Sequence, residues 1–223
     1  MSLDRLPDAV LFDWDGTLVD NWPVIHGALN ATLVAFGHAP WTMAETMERI
    51  SRSQRDSFPL IFGERWEAAR DLFYARFQER HLADLVTFPG ALDLLKLLAE
   101  AGTWMGVVSN KRGDFLRLEA AHLGWESFFG RIVGATDAVE DKPSAAPVRL
   151  ALADSGLPSD TRLWFVGDTS TDVLTARAVG CPAILVRHPG GSSAPLPPGA
   201  EPDLTVHGLA GLTGLVGSLR CAI

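Results

Sequence analysis

The stretch that most constrains this 223-residue chain is Val10-Leu11-Phe12-Asp13-Trp14-Asp15-Gly16-Thr17-Leu18-Val19-Asp20. Ala9 to Phe12 is an unbroken apolar run, as expected of a strand buried on both faces of a parallel sheet. Two carboxylates follow its end, and Gly16 lets the chain turn sharply. Residues two apart in extended backbone point the same way, so Asp13 and Asp15 address one small site. Close like charges are costly unless a cation neutralises them or one is protonated. The pattern therefore calls for a hard metal ion, an acid/base role, or both. Taken alone it also suits a turn and helix cap after a core strand.

Beyond Pro89-Gly90 the chain alternates short apolar runs with amphipathic ones. Helices are expected at Ala91–Ala101, Asp114–Leu123, about Ala145–Ser155, and from Ser170 to the Gly180 stop. Strands are expected at Trp104–Val108, Arg131–Val133, Leu163–Val166 and Ala183–Val186, with Leu204–Val206 an edge strand. Such alternation implies an α/β fold, a three-layer Rossmann-like parallel sheet with right-handed crossovers. Ligands in these sheets sit beyond the carboxyl ends of the strands. Asp13, Asp15, Ser109 and Asp168 each follow an expected strand, which places them along one rim.

Residues 21–88 differ in character. Ile25, Leu29, Leu33 and Phe36 repeat at helical spacing, as do Trp66, Ala69, Phe73 and Phe77, with no strand pattern and no lysine. Pro40 and Phe58-Pro59 are expected to separate helices, and Asp20 or Asn21 to cap the first. This segment reads as a helical cap inserted into a discontinuous core of residues 1–20 and 89–223. Arg49, Arg52 and Arg55 fall near one helical face, either a solvated face or a substrate-selecting one. His26 is expected to be structural, and His188–Pro202, rich in Pro, Gly and Ser, to be a surface loop.

A formal net charge of −8 argues against a nucleic-acid or anionic-membrane surface, so any anionic substrate would need local cations. Lys96, Lys111 and Lys142 are the only lysines. Cys181 and Cys221 stand far apart in sequence and outside any CxxC pattern, which argues against a disulfide framework or zinc site. With no basic-then-apolar N-terminal stretch, a cytoplasmic location is expected.

The motifs together resemble the haloacid dehalogenase superfamily, nearest to its phosphoglycolate phosphatase and β-phosphoglucomutase-like group with a helical cap. The matching pieces are Asp13-Trp14-Asp15-Gly16-Thr17, Val107-Val108-Ser109-Asn110, Lys142-Pro143 and Gly167-Asp168 through Asp172. The resemblance implies an Mg²⁺-dependent phosphatase that acts on a small phosphorylated metabolite, a phosphoglycolate-like monoester. Asp13 would be the nucleophile and Asp15 the acid/base. Ser109, with the N–H of Asn110, and Lys142 would hold the phosphate. Asp13, Asp168, Asp172 and the Asp15 backbone carbonyl would surround the metal, with Asp172 either a direct ligand or a neighbour of one. Lys111 is left between a solvated loop charge and a substrate contact. The loop after Lys142 departs from the usual closely spaced prolines, with Ser144-Ala145-Ala146 between Pro143 and Pro147. Asp15 and the lysine-free insertion disfavour phosphonatase and dehalogenase chemistry.

Two other readings remain: a phosphomutase that returns the phosphoryl group to substrate, and a non-catalytic module that binds phosphometabolites. The fold does not fix the substrate. No nucleic-acid or membrane partner is expected, and the chain is taken as a monomer or weak dimer.

Overall fold

The computed structural model describes residues 3–50, 53–191 and 195–221. The apolar run becomes β1 (Ala9–Phe12), with every residue buried. Strands β2 (Val19–Asp20) and β3 (Val86–Thr87) form a small antiparallel pair. The remaining strands are β4 (Trp104–Arg112), β5 (Arg131–Ala135), β6 (Leu163–Gly167), β7 (Ala183–Arg187) and β8 (Leu204–His207). They join β1 in a six-stranded sheet of order β5-β4-β1-β6-β7-β8, parallel throughout.

Strand alternation assigns each apolar side chain to a layer. Val10 and Phe12 of β1 and Trp164 and Val166 of β6 face one core, closed by α5 (Ala91–Glu100), α6 (Gly113–His122) and α9 (Gly208–Arg220). Ala9, Leu11 and Phe165 face the other, closed by α7 (Ala146–Leu152) and α8 (Ser170–Val179). Sequence-consecutive strands run outward from β1 through β4 to β5, then restart at β6 on its other side. The order therefore reverses between β1 and β6, where ligands collect in open α/β sheets.

Residues between β2 and β3 form α1 (Trp22–Ala35), α2 (Met43–Arg49), α3 (Gln54–Phe62) and α4 (Trp66–Gln78). They share an apolar cluster centred on Leu29, Leu33, Phe58, Phe73 and Phe77, joined by Phe115 of α6. Phe58 packs edge-on against Phe73 with ring centroids 5.6 Å apart.

Several expectations need correction. The insertion does hold a strand, since Val86 pairs with Asp20 and Thr87 with Val19. Two residues are too short a run to show alternation. Pro59 does not break a helix but lies inside α3, because Phe58 and Phe62 anchor both sides of it and the helix stops at Gly63. Strand β4 runs past Val108 to Arg112 with a shift of register between those residues, so Ser109 lies within the irregular part of a strand. Helix α9 is absent from the sequence reading, its apolar stripe of Leu209, Leu212 and Val216 diluted by glycines at 208, 211, 214 and 217. Of the expected 188–202 surface loop, the described residues are mostly exposed, with two fixed points: His188 stacks on Phe88 at a centroid distance of 3.5 Å, and Ala200 is fully buried. Among the described residues no helix is long and apolar enough to cross a membrane.

The helical cluster should be separable from the sheet in stability. Phe58→Ala removes a fully buried ring and is expected to cost about 3–5 kcal/mol. Amide hydrogen exchange should accelerate in α1, α3 and α4 while β1 and β6 stay protected.

Candidate active site

Asp13 and Asp15 leave the end of β1, Asp168 follows β6, and Asp172 sits in the first turn of α8. The reversal of strand order thus brings them to one crevice. Asp13, Asp168 and Asp172 each direct a carboxylate oxygen to within 4.8 Å of the others, and all three are buried. Lys142 Nζ lies 2.9 Å from Asp13 Oδ1 and 2.6 Å from Asp172 Oδ1. Its approach to Asp13 Oδ1 is off the hydrogen-bonding direction, leaving that oxygen ion-paired without a hydrogen bond.

Two glycines make the packing possible. A Cβ at Gly16, whose φ is +83°, would stand 2.3 Å from Asp168 Oδ2, and one at Gly167 would stand 2.3 Å from the Asp172 Cβ. Asp168 is steadied by the Thr17 hydroxyl at 3.3 Å. Asp172 Oδ2 accepts from the Thr169 amide at 3.0 Å and hydroxyl at 2.7 Å, which closes a capping box at the start of α8.

Lys142 is held by its neighbours. Asn110 Oδ1 accepts from the Lys142 amide at 2.9 Å, and Asn110 Nδ2 donates to the Lys142 carbonyl at 3.1 Å. The Asn110 side chain is therefore spent on positioning the lysine. Ser109 is buried, and its Oγ accepts from the Lys111 amide at 3.3 Å, so its hydroxyl proton is free to donate.

Asp15 belongs to a second charge centre. Its Oδ1 accepts from Lys111 Nζ at 2.7 Å, and the same ammonium lies 2.7 Å from Glu119 Oε2. Glu119 is fully buried and also accepts from Trp14 Nε1 at 2.8 Å and Asn21 Nδ2 at 3.0 Å. His81 Nδ1 lies 3.0 Å from Glu119 Oε1. Lys111 is thus not a solvated loop charge: it is buried, ion-paired to Asp15 and Glu119, and lines the cavity. Sequence reading missed Glu119, because a carboxylate in the middle of an amphipathic helix looks like surface. Asn21 does not cap α1 with its side chain; Asp20 Oδ1 accepts from the Trp22 amide at 3.3 Å instead.

The electrostatics follow from burial. Burial pushes Asp13 up to about 6, against Lys142 and with the repulsion of Asp172. Asp168 is raised well above the ordinary range by burial, then by Asp172 and Asp13. Asp15 is raised by burial, with Lys111 opposing and Glu119 reinforcing. For Glu119, burial is outweighed by Lys111 and the surrounding donors, which hold it below its usual value. Three carboxylates thus share one ammonium. The donor set is all oxygen, with no thiol or imidazole, and an oxygen of Asp13 lacks a hydrogen bond. These features fit a hard divalent cation.

Asp13, Asp15, Ser109, Asn110, Lys111 and Lys142 line one cavity of about 70 Å³, roofed by side chains of α1, α3 and α4. Of the insertion's arginines, Arg49 pairs with Glu45 at 3.1 Å and has the half-exposed character of a solvated face. Arg55 reaches Asp141, beside Lys142, at 2.9 Å. Arg52 lies outside the described residues. His26 is structural, with Nδ1 at 2.9 Å from the Thr46 hydroxyl.

A parallel sheet with carboxylates and a buried lysine at its reversal point defines an α/β enzyme core. The haloacid dehalogenase-like hydrolase family model matches residues 10–186, and the chain belongs to that family. It is 34% identical over 184 residues to a phosphoglycolate phosphatase of Xanthomonas campestris pv. campestris, covering 81% of this chain and 83% of that protein. With a phosphoglycolate phosphatase of Chromobacterium violaceum the identity is 35% over 222 residues, covering 93% and 96%. The fold is that of CbbY from Rhodobacter sphaeroides in complex with phosphate, at TM-score 0.78, 22% identity and coverage of 94% and 99%. It is likewise similar to a predicted phosphoglycolate phosphatase from Haemophilus somnus, at TM-score 0.80, 19% identity and full coverage of both chains.

A carboxyl group raised in the folded state binds protons more tightly there than when unfolded, so its contribution to stability is lost as pH rises through the folded value. For Asp13 that window runs from its ordinary 3.8 to about 6. Metal-free protein should lose stability across it, and a divalent cation should replace the missing protons. Magnesium added before a thermal melt is expected to raise Tm more at pH 7 than at pH 5. An equal shift at both pH values would separate cation binding from the cluster.

Proposed function

We propose that the protein is an Mg²⁺-dependent phosphatase that hydrolyses a small phosphate monoester through an aspartyl-phosphate on Asp13. The observation that carries this reading is the buried Asp13–Asp168–Asp172 cluster with Lys142, of which Asp13 and Lys142 line a small cavity together with Asp15. The phosphoglycolate phosphatase names of relatives at 34–35% identity support it.

Asp13, Asp168 and Asp172 would hold the cation, and the family resemblance adds the Asp15 backbone carbonyl. Bound Mg²⁺ supplies positive charge that offsets repulsion between the substrate phosphate and the carboxylates. Lys142 adds a fixed charge beside Asp13, and the Ser109 hydroxyl and Asn110 N–H are placed to donate to phosphate oxygens. Asp13 attacks phosphorus, forming a carboxylate-oxygen–phosphorus bond as the bond to the ester oxygen breaks. Asp15 gives its proton to the departing alkoxide. Water then attacks the phosphorus, Asp15 takes up its proton, and Asp13 is released with inorganic phosphate. The raised proton affinity of Asp15 suits a group that must hold a proton in one half-reaction and recover it in the next.

Helices α1–α4 act in this reading as a cap over the reacting atoms, hinged at the β2–β3 pair. Closure excludes bulk water during transfer and limits the leaving group to a small one. The enzyme works in the cytoplasm on a small metabolite, as a monomer or weak dimer, without nucleic-acid or membrane partners.

Phosphate release from a panel of phosphorylated metabolites should require a divalent cation, and undiminished turnover after thorough chelation would exclude the mechanism. Product analysis in the same assay distinguishes release to water from transfer back to substrate.

The two aspartates should separate by substitution. Asp13→Asn removes the nucleophile and is expected to abolish covalent labelling by phosphate. Asp15→Asn preserves the backbone yet should slow turnover by about 10²–10⁴-fold. Labelled, active Asp13→Asn protein would contradict the assignment.

A further inference from the structure

Glu119 is a fully buried carboxylate that the reaction outlined above does not use. It belongs to α6 and does not line the cavity, so it is one side chain removed from Asp15. Burying such a charge is costly unless its lone pairs are satisfied. Here Trp14 Nε1 donates to Oε2 at 2.8 Å and Asn21 Nδ2 to the same oxygen at 3.0 Å. His81 Nδ1 lies 3.0 Å from Oε1. Lys111 Nζ donates to both oxygens, at 2.9 Å to Oε1 and 2.7 Å to Oε2.

The Lys111 ammonium has one further carboxylate partner, Asp15 Oδ1 at 2.7 Å. Its three carboxylate contacts match the three N–H bonds that an ammonium carries. A lysine head is a point charge on a flexible stem, so its place is set by what holds it. Glu119 grips it with two oxygens, and the Phe77 ring adds a contact at 4.9 Å from its centroid. The same carboxylate fixes the indole of Trp14, the residue between the two aspartates. Glu119 therefore reaches Asp15 twice, through the backbone at Trp14 and through Lys111 at the carboxylate.

Resting on the phosphatase reading above, we infer that Glu119 is a positioning residue for proton transfer: by holding Lys111 and Trp14 it keeps the Asp15 carboxylate turned into the cavity. A counter-ion that only allowed Lys111 to be buried would support the fold and act on every substrate alike. A residue that aims Asp15 matters most where the departing oxygen needs a proton. An alkoxide needs one, whereas p-nitrophenolate leaves as a stable anion.

The test is Glu119→Gln in the full chain with Mg²⁺, read as kcat/KM, which reports the transfer that expels the alcohol. The amide keeps the shape but has one acceptor oxygen in place of two. The alkyl ester is 2-phosphoglycolate or, where another metabolite of the panel is turned over faster, that one. With it the variant is expected to lose about 10–100-fold, since misplacing a reacting group by about 1 Å costs on the order of 10²-fold. With p-nitrophenyl phosphate the loss should stay within about threefold. In the Asp15→Asn background Glu119→Gln should add no further loss with either ester, because the group it positions is already gone. Lys111→Met removes the intermediary, leaves Glu119 its contacts with Trp14, Asn21 and His81, and should give the same split between esters even where Glu119→Gln does not fold. Equal losses for the two esters, or losses that multiply in the Asp15→Asn background, overturn the inference and leave the phosphatase reading intact. Wild-type protein that releases phosphate from neither ester, nor from any member of the metabolite panel, overturns that reading and the inference with it.

Discussion

The architecture depends on keeping three carboxylates and one ammonium out of water within a few ångströms. Isolated buried charge is very costly, and a single lysine does not neutralise Asp13, Asp168 and Asp172. The surrounding structure therefore over-determines each member. Parallel neighbours β1 and β6 deliver Asp13 and Asp168 side by side, and α8 supplies Asp172 from its first turn, where the helix dipole favours negative charge. Asn110 clamps the backbone of Lys142 from both sides. Gly16 and Gly167 remove the Cβ atoms that would hold the carboxylates apart. What remains is excess negative charge in a rigid frame, which a proton or a hard cation relieves.

The two aspartates of the first motif share a cavity and differ in their partners. Asp13 belongs to the cluster that a cation would complete, whereas Asp15 leans on Lys111, which Glu119 balances. That division suits a nucleophile that must stay ionised and a neighbour that must exchange protons. Glu119 also joins the two connections of the helical insertion, because Asn21 opens it and His81 lies just after α4. The carboxylate that sets the charge around Asp15 is thus the one on which both ends of the insertion converge.

Much of this was legible in the sequence wherever a physical requirement has a local signature. The apolar run before Asp13, the later strands and the glycine stops gave the α/β alternation, and the rule about carboxyl ends of strands gave the rim. Longer-range features had no such signature. Glu119 and Lys111 are eight residues apart, yet their meeting depends on the bulge in β4 and on Asp15 arriving from another strand. Arg55 spaces like a solvated residue and instead reaches Asp141 from the far side of the cavity. Helix α9 hides its stripe behind glycines, and its packing on α5 compensates for their poor helix propensity. Pro59 reads as a breaker because propensity is local, while the aromatic cluster that holds α3 is not.

The same reasoning separates what kinship with other family members determines from what it leaves open. The motifs that carry the family resemblance all lie on one side of the site, at the ends of β1, β4 and β6 and in the Lys142 loop. In the proposed reaction those residues meet the phosphate whatever alcohol it esterifies. The opposite wall comes from α1, α3 and α4 together with Phe115. Its side chains serve two constraints at once, since Phe73 and Phe77 line the cavity and also build the core of the helical cluster. A charged residue at either position would have to be buried in that core, so stability and selectivity act there in the same direction. Ile50 stands at the edge of that cluster and is only partly buried. Substitution at such a rim position can therefore leave the helices intact, whereas the floor cannot change without losing the carboxylate–lysine cluster that the fold is built to hold.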